Sequence, residues 1–129
     1  MTMGSALDSQ SLLTWYASSA GLQLSSLEYR LAPENPYPTP VEDCYAALKW
    51  LYHKAEELNI DITRIAVMGD GAGGGLAAAV TLLARDRGEL PHPLAKQILI
   101  QPMLDDRTSS ITSRVPELVT WTWDDKLAG

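Results

Sequence analysis

The stretch Val67-Met68-Gly69-Asp70-Gly71-Ala72-Gly73-Gly74-Gly75-Leu76 runs from an apolar segment through a glycine cluster into a helical pattern. Two chemistries use a strand that turns sharply into a helix. One is a phosphate cradle, because the free N–H groups at a helix start attract anions. Gly69, Gly71 and Gly74 fit the G-x-G-x-x-G spacing used for dinucleotides. That spacing alone is weak, since a dinucleotide site also wants an acidic residue at the end of the next strand, about twenty residues on. Here the next apolar run begins only at Gln97, and the first carboxylate after it is Asp105. The other chemistry is the nucleophile elbow, in which a strained turn lifts a serine oxygen above the sheet and glycines on either side permit close packing. Gly69 and Gly73 occupy the flanking positions, but the residue between them is Gly71, which has no side chain to attack with.

Other chemistry-bearing residues are poorly placed. Asp105 with Asp106, and Asp124 with Asp125, are adjacent carboxylates without histidines in step. That is a weak ligand set, so solvated loops are expected and no metal or other cofactor. The single cysteine, Cys44, excludes an intrachain disulfide and sits in a helical pattern without a base beside it. It reads as a small packing residue. His53 falls on a charged helix edge and His92 between two prolines. Tyr37, Tyr45 and Tyr52 read as packing residues. Asp70 is expected to support the turn, and Arg30 and Glu34 to pair with each other or hold their loop.

The elements that must position this turn alternate helix and strand. Asp8 or Ser9 can cap a first helix through about Ala20, ended by Gly21. Leu22 to Tyr29 follows as a strand, weakened by Ser25 and Ser26, and the proline-rich stretch from Arg30 to Pro38 is a loop. Thr39 with Glu42 forms a capping box, with Pro40 at the first helical position. Val41, Tyr45, Leu48, Leu51, Tyr52, Ala55 and Leu58 then make an apolar stripe that ends before Asn59. Arg64 to Met68 reads as a buried parallel strand. Leu76, Ala77, Val80, Leu83 and Ala84 make a helix stopped by Gly88, and Gln97 to Met103 a third strand. Helices between short apolar strands imply an α/β fold, a parallel sheet flanked by helices.

Composition agrees. The chain has 129 residues, 46% apolar and 20% charged, which is globular and at most one domain. Phe is absent, so Trp, Tyr, Leu and Ile fill the core. A net charge of −6 with no basic–aromatic stripe argues against nucleic acid and anionic membranes. No apolar run is long enough to span a bilayer, and the first residues lack a secretory signature, so a cytoplasmic protein is the expectation.

The segment Tyr29-Arg30-Leu31-Ala32-Pro33-Glu34, with Pro36 and Pro38, precedes a helix containing Asp43, Leu48, Trp50 and Leu51. With the turn Gly69-Asp70-x-Ala72-Gly73-Gly74 and with Gln101-Pro102 after the next strand, this resembles the hormone-sensitive-lipase-like branch of the α/β-hydrolases over nearly the whole chain. Members of that family are carboxylesterases and lipases with a Ser-Asp-His triad. The resemblance implies a partial α/β-hydrolase core over residues 1–104, and a loop and the start of a lid- or cap-like segment over 105–129.

The same resemblance implies that little of the catalytic machinery is carried. Gly71 stands at the nucleophile position. Ala72 would donate the oxyanion N–H. The HGGG-type oxyanion loop, the N-terminal strands and the acid and base are expected to lie outside Met1–Gly129. Trp121 and Trp123 fall where relatives lead into a lid and would line an acyl pocket or an exposed patch. The expectation is therefore a truncated esterase/lipase homologue without serine-hydrolase activity. The alternatives are a protein binding a small apolar ester or acid near Ala72, a fragment of an active ester hydrolase, and dinucleotide binding at Gly69, Gly71 and Gly74. In relatives a further strand separates the one holding Leu24 from the one holding Val67. Without it both present unpaired backbone, so a homo-oligomer or a strand-donating partner is expected.

Overall fold

In the computed structural model the chain is described over residues 5–105. Five elements follow in order: α1 (Gln10–Ala20), α2 (Thr39–His53), β1 (Ala66–Asp70), α3 (Ala72–Arg87) and β2 (Lys96–Ile100), with a short 3-10 turn at Ile62–Arg64. The two strands pair in parallel, from Ala66 opposite Lys96 to Asp70 opposite Ile100. This β1–α3–β2 unit is the parallel crossover that the alternating pattern implies.

The core lies between α2, α3 and the start of β1. Tyr45, Leu48 and Tyr52 on α2 repeat at three- and four-residue steps, so they share one face. They close on Val80 and Ala84 of α3 and on Ile65. Each large apolar side chain so buried stabilises the fold by about 1.5–3 kcal/mol. The small residues Gly74, Ala77 and Ala84 on the buried side of α3 bring that helix close to its neighbours. Gly21 and Gly88 end α1 and α3 in the left-handed conformation, at φ 63° and 62°. This is the helix stop that both glycines imply.

Several local expectations are corrected. The Thr39/Glu42 capping box does not form: Pro38 is the N-cap and no side chain caps the helix. The Glu42 carboxylate is instead drawn across to Arg87 at the end of α3. Pro40 is thus the second helical residue, not the first. Helix α2 stops at His53, and Asn59 sits at φ 54° in the turn that follows. Ala55 stays buried, whereas Leu58 is exposed. Neither end of β1 falls where the apolar run suggests. Asp61 caps the 3-10 turn, accepting from Thr63 N at 2.9 Å, and this delays the strand to Ala66. At the other end it continues through Gly69 to Asp70. Strand β2 ends at Ile100, because Gln101 enters the left-handed region at φ 42° and turns the chain.

The Leu22–Tyr29 strand is the largest correction. The segment belongs to no strand, and β1 and β2 make a two-stranded sheet among the described residues. A strand needs a neighbour to exchange hydrogen bonds with, and Leu22, Leu24 and Leu27 remain exposed. Helix α1 likewise buries none of its residues. No described helix is long and apolar enough to cross a membrane.

Candidate functional site

Strand β1 delivers the chain to Gly71, and α3 starts at the next residue. Gly71 takes φ 51° and ψ −112°, a conformation that side-chain-bearing residues adopt only under strain. The turn is held from three directions. Gly71 N donates to Ile100 O at 2.9 Å, and Gly71 O accepts from Met103 N at 2.9 Å and Gly75 N at 3.1 Å. The strand-to-helix turn implied by the glycine cluster is therefore present, with Gly71 at its apex.

The surrounding glycines do different work. A Cβ on Gly69 would fall inside the van der Waals shell of Gly73 O and 2.7 Å from Gly74 N, so strand and helix meet there backbone to backbone. A Cβ on Gly73 would meet nothing within 4 Å among the described residues. A Cβ on Gly74 would lie 3.0 Å from Pro102 Cα, and one on Gly75 would lie 2.5 Å from Met103 O. The segment from Ile100 to Met103 thus braces the elbow from the β2 side. From the sequence this brace was visible only as the Gln101-Pro102 pair that forms part of the family resemblance.

At the apex, the space a side chain would occupy is open among the described residues: a Cβ on Gly71 meets none of their atoms within 4 Å. Ala72 is the first residue of α3, where an N–H has no acceptor within its own helix. An anionic oxygen above Gly71 would find this donor and the positive end of the helix dipole. Asp70 is the last residue of β1 and is exposed. For the dinucleotide alternative, Gly69, Gly71 and Gly74 do lie at one strand-to-helix turn. However, Pro102 lies against Gly74, and Ile100 and Gln101, not a carboxylate, stand at the end of β2.

The Tyr29–Glu34 loop is tied to α2 by one side chain. Arg30 donates to Asp43 from its backbone N at 3.0 Å, from Nε at 3.0 Å and from Nη2 at 2.6 Å. The guanidinium, and then the Arg30 N–H, hold the Asp43 carboxyl below its ordinary range. Arg30 therefore pairs with Asp43, not with Glu34, and holds the loop as expected. Next to it, Cys44 is half-buried, and desolvation followed by the Asp43 charge pushes its thiol up to about 11. It is thus a protonated packing group near neutral pH, not a nucleophile.

Neither histidine is brought to the elbow by its own element's anchors. His92 Nδ1 lies 2.8 Å from Pro93 O, and the nearby Ala95 N donates to Ile65 O at 2.8 Å. His92 also helps lower the Asp61 carboxyl, behind the larger effects of the Thr63 hydroxyl and N–H. These contacts put it at the entry to β1. The elbow is at the exit, one five-residue strand or roughly 16 Å away. His53 is the exposed last residue of α2. Among the described residues no group of three His, Cys, Asp or Glu side chains converges as a metal site. Trp121, Trp123, Asp106, Asp124 and Asp125 lie outside the described residues, as does all but the first residue of the expected 105–129 segment.

Comparison with known proteins accords with this geometry. The α/β-hydrolase fold family matches residues 1–125. The chain is 51% identical over 77 residues to the carboxylesterase NlhH of Mycobacterium tuberculosis, covering 60% of this chain and 24% of that protein. It is 40% identical over 101 residues to an ethyl acetate hydrolase of Pseudomonas putida, covering 78% of this chain and 31% of that one. A bacterial heroin esterase superposes with a TM-score of 0.82 at 42% identity, over 98% of this chain and 40% of its own. An esterase from Pyrobaculum calidifontis superposes with a TM-score of 0.83 at 40% identity, over 97% of this chain and 41% of its own. The chain thus spans from about a quarter to a third of the length of these curated relatives. By sequence, elbow geometry and superposition it belongs to the α/β-hydrolase fold family, in the hormone-sensitive-lipase-like branch of esterases and lipases.

Proposed function

We propose that this chain is an esterase-family polypeptide that does not hydrolyse esters by the serine mechanism. One observation carries the reading: the apex of the elbow, where an attacking oxygen is needed, is Gly71. Without a hydroxyl or thiol there, no acyl-enzyme forms. The chain's two histidines support the same reading, since His92 is anchored at the far end of β1 and His53 is an exposed helix end. The Ala72 N–H remains as an oxyanion donor, but stabilising an oxyanion does nothing where none is generated. The test is turnover of short-chain p-nitrophenyl esters with and without a serine-directed phosphonate, followed by intact mass. No phosphonate-sensitive release and no adduct are expected. A stoichiometric adduct at the elbow would overturn the reading.

A second reading concerns assembly and rests on a separate observation. Strand β1 has β2 on one side and no ladder partner on the other among the described residues, while Leu22, Leu24 and Leu27 lie exposed in a segment that forms no strand there. Exposed strand edges invite pairing. A further strand, supplied by another copy or by a different polypeptide, would pair that edge. Sedimentation over a wide concentration range tests self-pairing. A monomer throughout, with one cooperative melt and fast amide exchange along β1, would show that the edge is left open.

A further inference from the structure

We draw no further inference here: the strongest candidate, the aliphatic groove of about 390 Å³ between α1 and the Leu22–Tyr29 segment, lined by Leu7, Leu13, Ala17 and Leu24, carries nothing because nothing in the structure shows what covers it.

Discussion

The backbone oxygen of Gly73 occupies the place where a side chain on Gly69 would begin. The end of β1 and the first turn of α3 are therefore in direct backbone contact. Gly71 N is fixed to Ile100 O, and Gly75 is against Met103 O. Gly69→Ala is expected to cost about 3 kcal/mol or more, the upper end of overpacking, because the obstruction is main chain and not a pliable side chain. Gly73→Ala provides the contrast. Its Cβ meets nothing within 4 Å among the described residues, so replacing a helical glycine should leave stability unchanged or raise it by about 0.5–1 kcal/mol. Urea unfolding of both variants checks the pair. Equal effects would mean that the contact is not rigid.

Restoring a hydroxyl at the apex separates space from strain. A Cβ on Gly71 has open surroundings among the described residues, but the residue stays at φ 51°. Gly71→Ser should therefore fold with a penalty of about 1–3 kcal/mol, from conformation and not from clash. It should not gain esterase activity, because the new oxygen has no imidazole beside it. A triad missing a member retains only about 10³–10⁴-fold over water, and that remainder comes from the oxyanion hole and binding. Turnover of p-nitrophenyl butyrate by Gly71→Ser, compared with buffer, is the measurement. A burst of p-nitrophenol would show that a base reaches the elbow after all.

How far the sequence could be read depended on how local each determinant is. Helix α3 and its stop at Gly88 were legible, because periodicity and a left-handed cap reside within one segment. The apex at Gly71 was legible from glycine spacing for the same reason. The capping box at Thr39 misled, because Glu42 answers to Arg87, forty-five positions away. Strand β1 shifted because Asp61 and Thr63 form a local turn that competes with extension at Arg64. The Leu22–Tyr29 segment has strand composition, but a strand exists only with a neighbour. The brace from Ile100 to Met103 was not legible as a brace, since its bonds to Gly71 join separate elements.

Inside the core, Tyr52 presents an anomaly that can be measured. The residue is 6% exposed, and its hydroxyl has no hydrogen-bond partner among the described residues. Burial raises its pKa above the ordinary tyrosine value, so the group is an unsatisfied neutral phenol. Removing a buried hydroxyl that has no partner recovers its desolvation cost while the ring keeps its packing. Tyr52→Phe should therefore be neutral or stabilise by up to about 1 kcal/mol. Tyr45→Phe is the control, because the Tyr45 hydroxyl donates to Glu89 at 3.2 Å. That variant should be destabilised. If Tyr52→Phe loses more stability than Tyr45→Phe in urea melts, the Tyr52 hydroxyl has a partner.

Acid should loosen the fold through carboxylates held by cations. Asp43 is lowered from 3.8 chiefly by its hydrogen bonds to Arg30. Glu42 is lowered from 4.5 chiefly by Arg87, and Glu89 from 4.5 by Lys49 and then Tyr45. In each case the folded pKa lies below the unfolded one. The stabilisation is thus complete above the unfolded value and is lost as pH falls through the folded one. Stability should be flat from roughly pH 7 to pH 5 and fall below the ordinary carboxylate values. The effect should shrink as salt is added, since these pairs face solvent. Asp43→Asn isolates one contribution: its melting temperature should be lower than that of the parent near neutral pH, and the difference should narrow in acid. A constant difference down to about pH 2.5 would mean that the Arg30–Asp43 contact acts through packing and not through charge.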